Sequence, residues 1–235
     1  MKIAIYTLTR DRLDYTKYCF DSLAKKAGCE YDHYIVDNGS QDGTIEWLKE
    51  NENRFKKVIY NSENQGIGIA SNQALKAIFG DGHTHTLENY DIVIKMDNDC
   101  ELLSDNLLTQ VAEIYEDLLS KEFECKYVLS PYVEGIVNQP NRGRFAMYGG
   151  RRIGLTAIVG GLFHIVPADV YRKYCYPSDL PKAWGQDDAF CKWIKDNGGQ
   201  VGYIEDLKVN HFETTAGQAA RYPEYFKRKH EEEKL

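Results

Sequence analysis

The sequence predicts an α/β fold in which a mostly parallel central sheet carries helices on both faces. Apolar runs of strand length alternate with segments of helical hydrophobic spacing through the first half of the chain. Such alternation is typical of a parallel sheet. The 235 residues, 43% of them hydrophobic, are enough for one large domain with an ordinary core.

Five strands and four helices are predicted in the first 130 residues. Apolar runs indicate strands at residues 2–8, 31–36, 57–61, 91–96 and 127–130. Helical spacing indicates helices at residues 15–27, 44–50, 67–79 and 106–119. Asp14 is the predicted N-cap of the first helix. Because ligands of such sheets bind beyond the carboxyl ends of the strands, we expect a site where polar residues follow them.

The second half of the chain is less regular. Strands are predicted at residues 144–148, 155–166 and 200–204, and Gly160 and Gly161 interrupt the second of these. Helices are predicted at residues 168–174 and from the segment 184–188 to about residue 196. The charged segment from Gln218 onward is expected to be helical or frayed.

Composition and cysteine usage narrow the class of protein. None of the six cysteines lies in a CxxC pair or at zinc-finger spacing from a histidine. No apolar stretch is long enough for a signal peptide or a bilayer span. We therefore expect a cytoplasmic protein without disulfides, which would dock only peripherally on a membrane. The net charge of −7 disfavours nonspecific binding to nucleic acid or anionic lipid.

One basic segment departs from this acidic average. Residues 135–168 contain no acidic side chain, whereas four arginines cluster there, namely Arg142, Arg144, Arg151 and Arg152. The segment is either a solvated basic loop or a place where guanidinium groups bind phosphate.

The strongest local signal is the pair Asp97 and Asp99, which follows the strand predicted at residues 91–96. Two carboxylates separated by one residue can face the same side if the backbone turns there. That arrangement suits a hard divalent cation already bridged to phosphate oxygens. A D-x-D triplet also occurs by chance or as a helix cap, but Ser104 or Asp105 can provide the cap here. The position at a strand end therefore favours a metal site.

Asp37 ends the second predicted strand and begins the turn at residues 37–43. Its carboxylate can accept a hydrogen bond from the ring N–H of a base. Alternatively, residues 37–43 only form a turn and Asp42 caps the helix that follows. The two aspartates occupy different positions, so both interpretations can hold.

Five segments, in this order, resemble motifs of the family 2 glycosyltransferases, which have the GT-A fold. They are residues 37–44 (DNGSQDGT), 64–72 (NQGIGIASN), 97–99 (DND), 159–163 (VGGLF) and 184–188 (WGQDD). The resemblance rests on their order and covers roughly residues 1–212. It implies one GT-A catalytic domain at residues 1–212, with a nucleotide-binding half at 1–100 and an acceptor-binding half at 101–212. A charged tail at 213–235 would follow.

The resemblance implies roles on the donor side. Mn²⁺ or Mg²⁺ would be bound by Asp99 against the diphosphate, and Asp97 would contact the ribose or the metal's surroundings. His211 would reach the metal or the diphosphate, although it can also be an ordinary packed histidine. A uracil-like base would contact Asp37. The other residues placed beside the nucleotide are Thr7, Arg10, Asn64 and Gly66.

On the acceptor side, the resemblance implies that Asp188 is the general base and that Asp187 holds the acceptor or supports the base. Alternatively, both aspartates only begin a helix with a favourable dipole. Asp187 stands where glutamate is common in the family. The same helix lacks an arginine that many relatives carry, so we expect Arg151 or Arg152 to contact the diphosphate instead. Further residues assigned to the acceptor or diphosphate are Trp184 and Gly161.

These roles predict an inverting, metal-dependent transfer of a sugar from a nucleoside-diphosphate sugar, UDP-linked, to an acceptor hydroxyl. A sugar hydroxyl is a poor nucleophile, so a carboxylate must accept its proton during attack. The departing nucleoside diphosphate gains negative charge that a cation offsets. The acceptor is expected to be a glycan, a lipid-linked compound or another hydroxyl compound. Modified DNA is a less favoured acceptor because the chain is acidic.

Two other classes of protein remain as alternatives. A dinucleotide-binding oxidoreductase fits Gly66 and Gly68, but Ser71 stands at the third glycine position and hydride transfer does not need the aspartate pair. A non-catalytic module on the same scaffold could bind a nucleotide sugar or glycan without turnover. Such a module could lose Asp99 and Asp188 freely, so their presence favours an enzyme.

Overall fold

A computed structural model describes residues 1–80, 89–121, 126–136 and 141–232 of the chain. The last three residues of the predicted tail, 233–235, lie outside the described residues. Within the described ranges, no helix is both long and apolar enough to cross a membrane.

The first half of the chain builds four parallel strands and the helices that connect them. These elements are β1 (Ile3–Thr9), α1 (Leu13–Lys26), β2 (Asp32–Asn38), α2 (Thr44–Glu50), β3 (Lys57–Asn61), α3 (Ile67–Phe79) and β4 (Ile92–Met96). β1 pairs with β2 on one side and β4 on the other, and β3 pairs with β2. All of β4 is buried, as expected for a strand covered on both faces.

The second half of the chain extends the sheet with mixed strand directions. Its elements are β5 (Cys100–Leu102), α4 (Leu107–Lys121), β6 (Tyr127–Glu134), β7 (Arg144–Tyr148), β8 (Arg151–Leu155), β9 (Phe163–Pro167), α5 (Ala168–Tyr171), α6 (Gln186–Asp196), β10 (Gln200–His211), α7 (Thr215–Arg221) and α8 (Pro223–Glu232). The strand order is β3-β2-β1-β4-β9-β6-β10-β8-β7, and β5 pairs with β10.

The α/β class predicted from the sequence is confirmed. Parallel pairing holds for the four strands of the first half and for β6 with β10, whereas β9 is antiparallel to both β4 and β6. The pairing of β4 with β9 places Ile94 opposite Ile165, and both side chains are fully buried. One hydrophobic core therefore runs beneath both halves of the chain.

Several predicted boundaries differ from the structure. The strand predicted at residues 155–166 is instead the end of β8 and the start of β9, because the chain leaves one sheet position and enters another around Gly160 and Gly161. The strand predicted at residues 200–204 continues to His211, and β5 was not predicted. Asp14, the predicted N-cap, lies instead in the first turn of α1. The first backbone N–H of this helix, from Leu13, donates to Oδ2 of Asp42 at 2.9 Å.

Candidate active site

A cavity of about 330 Å³ opens beyond the carboxyl ends of β1 and β4, within the size range of small-molecule sites. Its walls come from both halves of the chain and from α8. Eight of the residues predicted from the sequence line it, namely Arg10, Asn64, Asp97, Asp99, Gly161, Trp184, Asp187 and His211. The sheet topology thus brings most of the predicted polar residues to one place.

Residues 10–12 leave β1 in an unusual backbone conformation. Asp11 and Arg12 have φ angles of 52° and 58°, in a region that residues other than glycine rarely adopt. N of Asp11 donates to Oγ of Ser40 at 2.7 Å, and Oδ1 of Asp11 accepts from N of Gln41 at 2.6 Å. The turn after β2 therefore holds the segment after β1, which places Arg10 and Arg12 at the cavity.

Asp99 lies at the centre of a buried polar network. Its Oδ2 accepts hydrogen bonds from Nη1 of Arg12 at 2.7 Å and from Nε2 of Gln218 at 3.2 Å. Nε2 of His211 lies 3.5 Å from the same oxygen. Burial alone would raise the pKa of Asp99, but Arg12, His211 and Gln218 hold it below its usual value. The carboxyl group is therefore ionised at neutral pH.

Asp97 pairs with Lys95, which the sequence analysis did not single out. Nζ of Lys95 lies 2.5 Å from Oδ1 of Asp97 and 2.5 Å from O of Gly161, and its side chain is 4% exposed. Burial opposes the charge on Lys95, but Asp97 and Asp187 outweigh burial and raise the pKa of the amine. A fixed positive charge therefore lies between Asp97 and Gly161 at the cavity.

Gly161 and Asp187 join the two C-terminal motifs. Oδ2 of Asp187 accepts a hydrogen bond from N of Gly161 at 2.8 Å. A Cβ atom at position 161 would clash with the carboxylate of Asp187, so this carboxylate would have to move if residue 161 were not glycine. Trp184 is 66% exposed at the rim. Asp188 is exposed in the first turn of α6, and among the described residues the cavity lining includes Asp187 but not Asp188.

Asn64 is held at the cavity by backbone and amide hydrogen bonds. Its Oδ1 accepts from Nδ2 of Asn38 at 2.9 Å and from N of Gly66 at 3.0 Å. Gly66 itself precedes α3 with a φ of 82° and packs against Lys182, whose O accepts from N of Ile67 at 2.8 Å. Gly66 thus contacts Asn64 but is not among the described residues that line the cavity.

Thr7 and Asp37, both predicted beside the nucleotide, lie inside the protein. Thr7 is fully buried, and its Oγ1 is 3.0 Å from Nε2 of His33. Because β1 continues to Thr9, Thr9 lines the cavity in place of Thr7. The buried Asp37 accepts from Oγ1 of Thr9 at 2.9 Å and from N and Oγ of Ser40 at 3.0 and 2.6 Å. These contacts correspond to the turn interpretation of Asp37.

Arg151 and Arg152 are also placed away from the cavity, on β8. Nη1 of Arg151 lies 2.6 Å from Oδ2 of Asp206. The guanidinium carbon of Arg152 lies 3.6 Å from the ring centroid of Phe145. The structure therefore does not bring either arginine to the place where a diphosphate was predicted.

The segment predicted to be a charged tail forms part of the cavity wall. Glu232, near the end of α8, accepts from Nη2 of Arg10 and from Nδ2 of Asn64, each at 2.5 Å. Arg228 pairs with Asp11. These contacts connect α8 to the segments that follow β1 and β3. The folded unit that surrounds the cavity therefore includes α7 and α8 as well as residues 1–212.

The sequence analysis did not single out Lys95, Arg12, Gln218 or Glu232, which all line the cavity. A signal for Lys95 existed, because a lysine inside an apolar strand needs a buried partner. For Arg12, Gln218 and Glu232 no local signal exists, since their contacts to Asp99 and Arg10 span 87, 119 and 222 positions in the sequence.

Asp99 and His211 fit a divalent cation. Nδ1 of His211 lies 3.0 Å from O of Glu213, which can only accept, so Nδ1 carries a proton, and Nε2, which faces Asp99, is the nitrogen that would bind a metal. No group of three or more His, Cys, Asp or Glu side chains is arranged for a metal among the described residues. Mn²⁺ or Mg²⁺ commonly takes one or two carboxylates and completes its shell with phosphate oxygens and water.

Comparison with known families finds a match in the first half of the chain. The family described as Glycosyl transferase family 2 matches residues 4–120, which include β1 to β4 and the aspartate pair. The sequence matches none of the curated proteins with which it was compared.

Several solved structures have a similar fold. S. aureus TarS 1–349 in complex with UDP-GlcNAc is 18% identical with a TM-score of 0.65, over 91% of this chain and 59% of that chain. Mannosyltransferase PcManGT from Pyrobaculum calidifontis, in complex with GDP-Man and Mn²⁺, is 15% identical with a TM-score of 0.64, over 94% and 59%. GalNAc-T7 with UDP, GalNAc and Mn²⁺ is 14% identical with a TM-score of 0.70, over 92% and 44%. This chain thus covers less than two thirds of each, and at these identities the likeness concerns the fold.

Proposed function

Since this chain belongs to glycosyl transferase family 2, we propose that it transfers a sugar from a nucleoside-diphosphate sugar, UDP-linked, to an acceptor hydroxyl. The observation that carries the proposal is one cavity that is lined by Arg10, Asn64, Asp99 and Asp187. The nucleotide sugars bound by TarS and PcManGT support this class of donor. We place the nucleotide-binding half at residues 1–100 and the acceptor-binding half at residues 101–212. The proposed catalytic domain also includes α7 and α8.

On the donor side, cationic side chains would contact the diphosphate. Arg10 and Arg12 lie at the end of β1, where the cavity opens beyond the sheet. Asp99 and His211, with Asp97 nearby, would hold Mn²⁺ or Mg²⁺. When bound, that cation would stabilise the negative charge that the leaving diphosphate gains. Mn²⁺ in the PcManGT and GalNAc-T7 structures supports a requirement for a divalent metal.

On the acceptor side, we assign the proton transfer to Asp188. Its exposed position in α6, next to the cavity residue Asp187, allows it to meet a hydroxyl that arrives from solvent. The acceptor oxygen forms a bond to the anomeric carbon while the bond to the diphosphate breaks, and the hydroxyl proton passes to Asp188. One displacement inverts the configuration at that carbon. Asp187, fixed by Gly161, and the exposed ring of Trp184 would orient the acceptor.

We infer the acceptor class from the chemistry of the residues at the cavity rim and not from the shape of a pocket. A glycan, a lipid-linked compound or another hydroxyl compound fits an open rim with an exposed tryptophan. Modified DNA is less favoured because the chain carries a net charge of −7. We expect the protein to act in the cytoplasm, where a membrane-bound acceptor would require peripheral docking.

A screen of nucleotide sugars with Mn²⁺, read out as released nucleoside diphosphate, tests this function. Release from a UDP-sugar by the wild-type protein, lost in Asp99→Asn, is the expected result. Stabilisation by nucleotide sugars without release from any of them, with or without acceptors, would indicate a binding module instead. NMR of the product tests the mechanism, since a retained anomeric configuration contradicts single displacement.

A further inference from the structure

Gln218, on α7, lies outside the region that the sequence motifs cover, yet it contacts the donor side of the cavity. Its side chain is buried, at 4% exposure. Nε2 donates to Oδ2 of Asp99 at 3.2 Å and to O of Phe212 at 2.7 Å. Oε1 accepts from Nη1 of Arg12 at 2.8 Å. Both ends of the amide are therefore engaged with the ion pair at the centre of the site.

The chemistry at position 218 suits an amide better than a charged group. Asp99 needs a hydrogen-bond donor and Arg12 needs an acceptor, and a carboxamide offers both on one planar group. Glutamate would accept from Arg12 but would repel Asp99. Lysine would donate to Asp99 but would repel Arg12. A neutral amide can therefore hold the two charged partners without competing for either.

The geometry also fixes the direction of both charged groups. Nη1 of Arg12 contacts Asp99 and Gln218, while Nη2 donates to Oδ1 of Asn98 at 2.8 Å. The ring centroid of Tyr225, on α8, lies 4.9 Å from the guanidinium carbon of Arg12. Planar groups bonded at several points have little freedom to rotate. Without the amide, Asp99 and Arg12 would each lose one of these constraints.

We propose that Gln218 is a positioning residue of the donor site, which orients Asp99 and Arg12 and thereby sets the affinity for Mn²⁺ and nucleoside diphosphate. The proposal rests on the proposed function, because that function assigns Asp99 to the metal. Groups that orient metal ligands in this way usually change metal affinity by about 10- to 100-fold when they are removed. Helix α7 would then supply part of the donor site.

A purely structural role for Gln218 makes a different prediction. Its hydrogen bond to O of Phe212 could simply anchor the start of α7. Thr214 provides the matched control, because its exposed side chain caps α7 by accepting from N of Gly217 at 3.2 Å. Thr214→Ala weakens the start of α7 while leaving the amide of Gln218 in place. If anchoring α7 were the whole role, this variant would reproduce the effect of losing Gln218.

The experiment compares the full-length wild-type chain with Gln218→Met, Gln218→Asn and Thr214→Ala. Mn²⁺ binding is measured by electron paramagnetic resonance, and UDP binding with Mn²⁺ by calorimetry, after thermal melts have shown that each variant folds. We expect Gln218→Met to lose affinity for Mn²⁺ by about tenfold or more and Thr214→Ala to match the wild type. Gln218→Asn keeps the amide but shortens the side chain, so it should also lose affinity and provides the test if Gln218→Met does not fold.

The outcomes separate this inference from the proposed function. Wild-type affinity in both Gln218 variants, or equal losses in Thr214→Ala, would overturn the positioning role while leaving the function intact. If the wild type binds Mn²⁺ but no nucleotide, the nucleotide part of the proposed function fails, and the Mn²⁺ comparison still decides the role of Gln218. A wild-type protein that binds neither Mn²⁺ nor UDP contradicts both.

Discussion

The two ends of the chain meet at one cavity, but the sequence encodes their contributions differently. Asn64 and Asp99 lie three residues after β3 and β4, where parallel-sheet topology places ligands. Gln218 and Glu232 reach the same cavity through contacts that span more than 100 positions. Strand-end residues can thus be found from periodicity, whereas contributions from the C-terminal helices become visible only in the folded chain.

The largest expected effect is on the acceptor side. Replacing Asp188 by asparagine removes the proposed base, so the rate of sugar transfer should fall by about 10²- to 10⁴-fold. Steady-state rates at saturating donor provide the measurement. Asp187→Asn is the matched control, and because Asp187 is fixed by Gly161 we expect it mainly to raise the acceptor KM. A wild-type rate for Asp188→Asn with loss of activity in Asp187→Asn would reverse the assignment.

The pH dependence of the free energy of unfolding should reflect one buried histidine from each half of the chain. Burial lowers the pKa of His33 to about 3, and burial also lowers the pKa of His164. An unfolded histidine binds a proton near pH 6.5, so between these values the unfolded state holds more protons than the folded state. The contribution of these neutral histidines to the free energy of unfolding is therefore fully present above pH 6.5 and is lost as the pH falls towards 3.

Urea unfolding at a series of pH values measures this loss. Between the folded and unfolded pKa values, each buried histidine should lower the free energy of unfolding by roughly 1 kcal/mol for each unit by which the pH falls. His33→Gln should reduce the slope, while the exposed His230→Gln should leave it unchanged. An unchanged slope in His33→Gln would mean that His33 is already protonated in the folded protein.

A smaller effect is expected at the end of α8. The carboxylate of Glu232 accepts hydrogen bonds from Arg10 and Asn64, two residues that we assign to donor binding. A bound donor would have to break these contacts. Glu232→Gln should therefore raise the affinity for UDP by about two- to fivefold, as expected for a partly exposed ion pair. The exposed neighbour, in Glu231→Gln, serves as the control. Weaker UDP binding in Glu232→Gln would show that α8 completes the donor site instead of competing for it.

The smallest effect is expected on β8. Arg151 is paired with Asp206, and Arg152 packs on Phe145, so neither contributes to the cavity. Replacing both arginines by alanine should leave the calorimetric Kd for UDP unchanged. A loss of affinity would restore the assignment made from the sequence and would place part of the donor site in the second half of the chain.

The alternating elements of the first half were predictable because each strand and helix has its own hydrophobic period. The second half was less predictable, because β9 inserts between β4 and β6, whereas β10 pairs with strands that are far apart in the sequence. Such positions depend on long-range pairing rather than on local pattern.

The candidate site shows the same division. Asp97, Asp99 and Asp187 were found from motifs at strand and helix ends, and all three line the cavity. Thr7 was misplaced because β1 continues to Thr9, which turns Thr7 into the sheet beside His33. Buried hydrogen bonds of this kind depend on which neighbouring strand lies alongside, and a single strand does not reveal its neighbour.

The central claim is that a divalent cation and a nucleotide bind beyond β1 and β4. Crystals soaked with UDP and Mn²⁺ test it most directly, through the anomalous scattering of manganese. We expect an anomalous peak between Asp99 and His211, with the UDP diphosphate beside it in the same cavity. A manganese peak elsewhere on the protein, or UDP bound outside this cavity, would contradict the account.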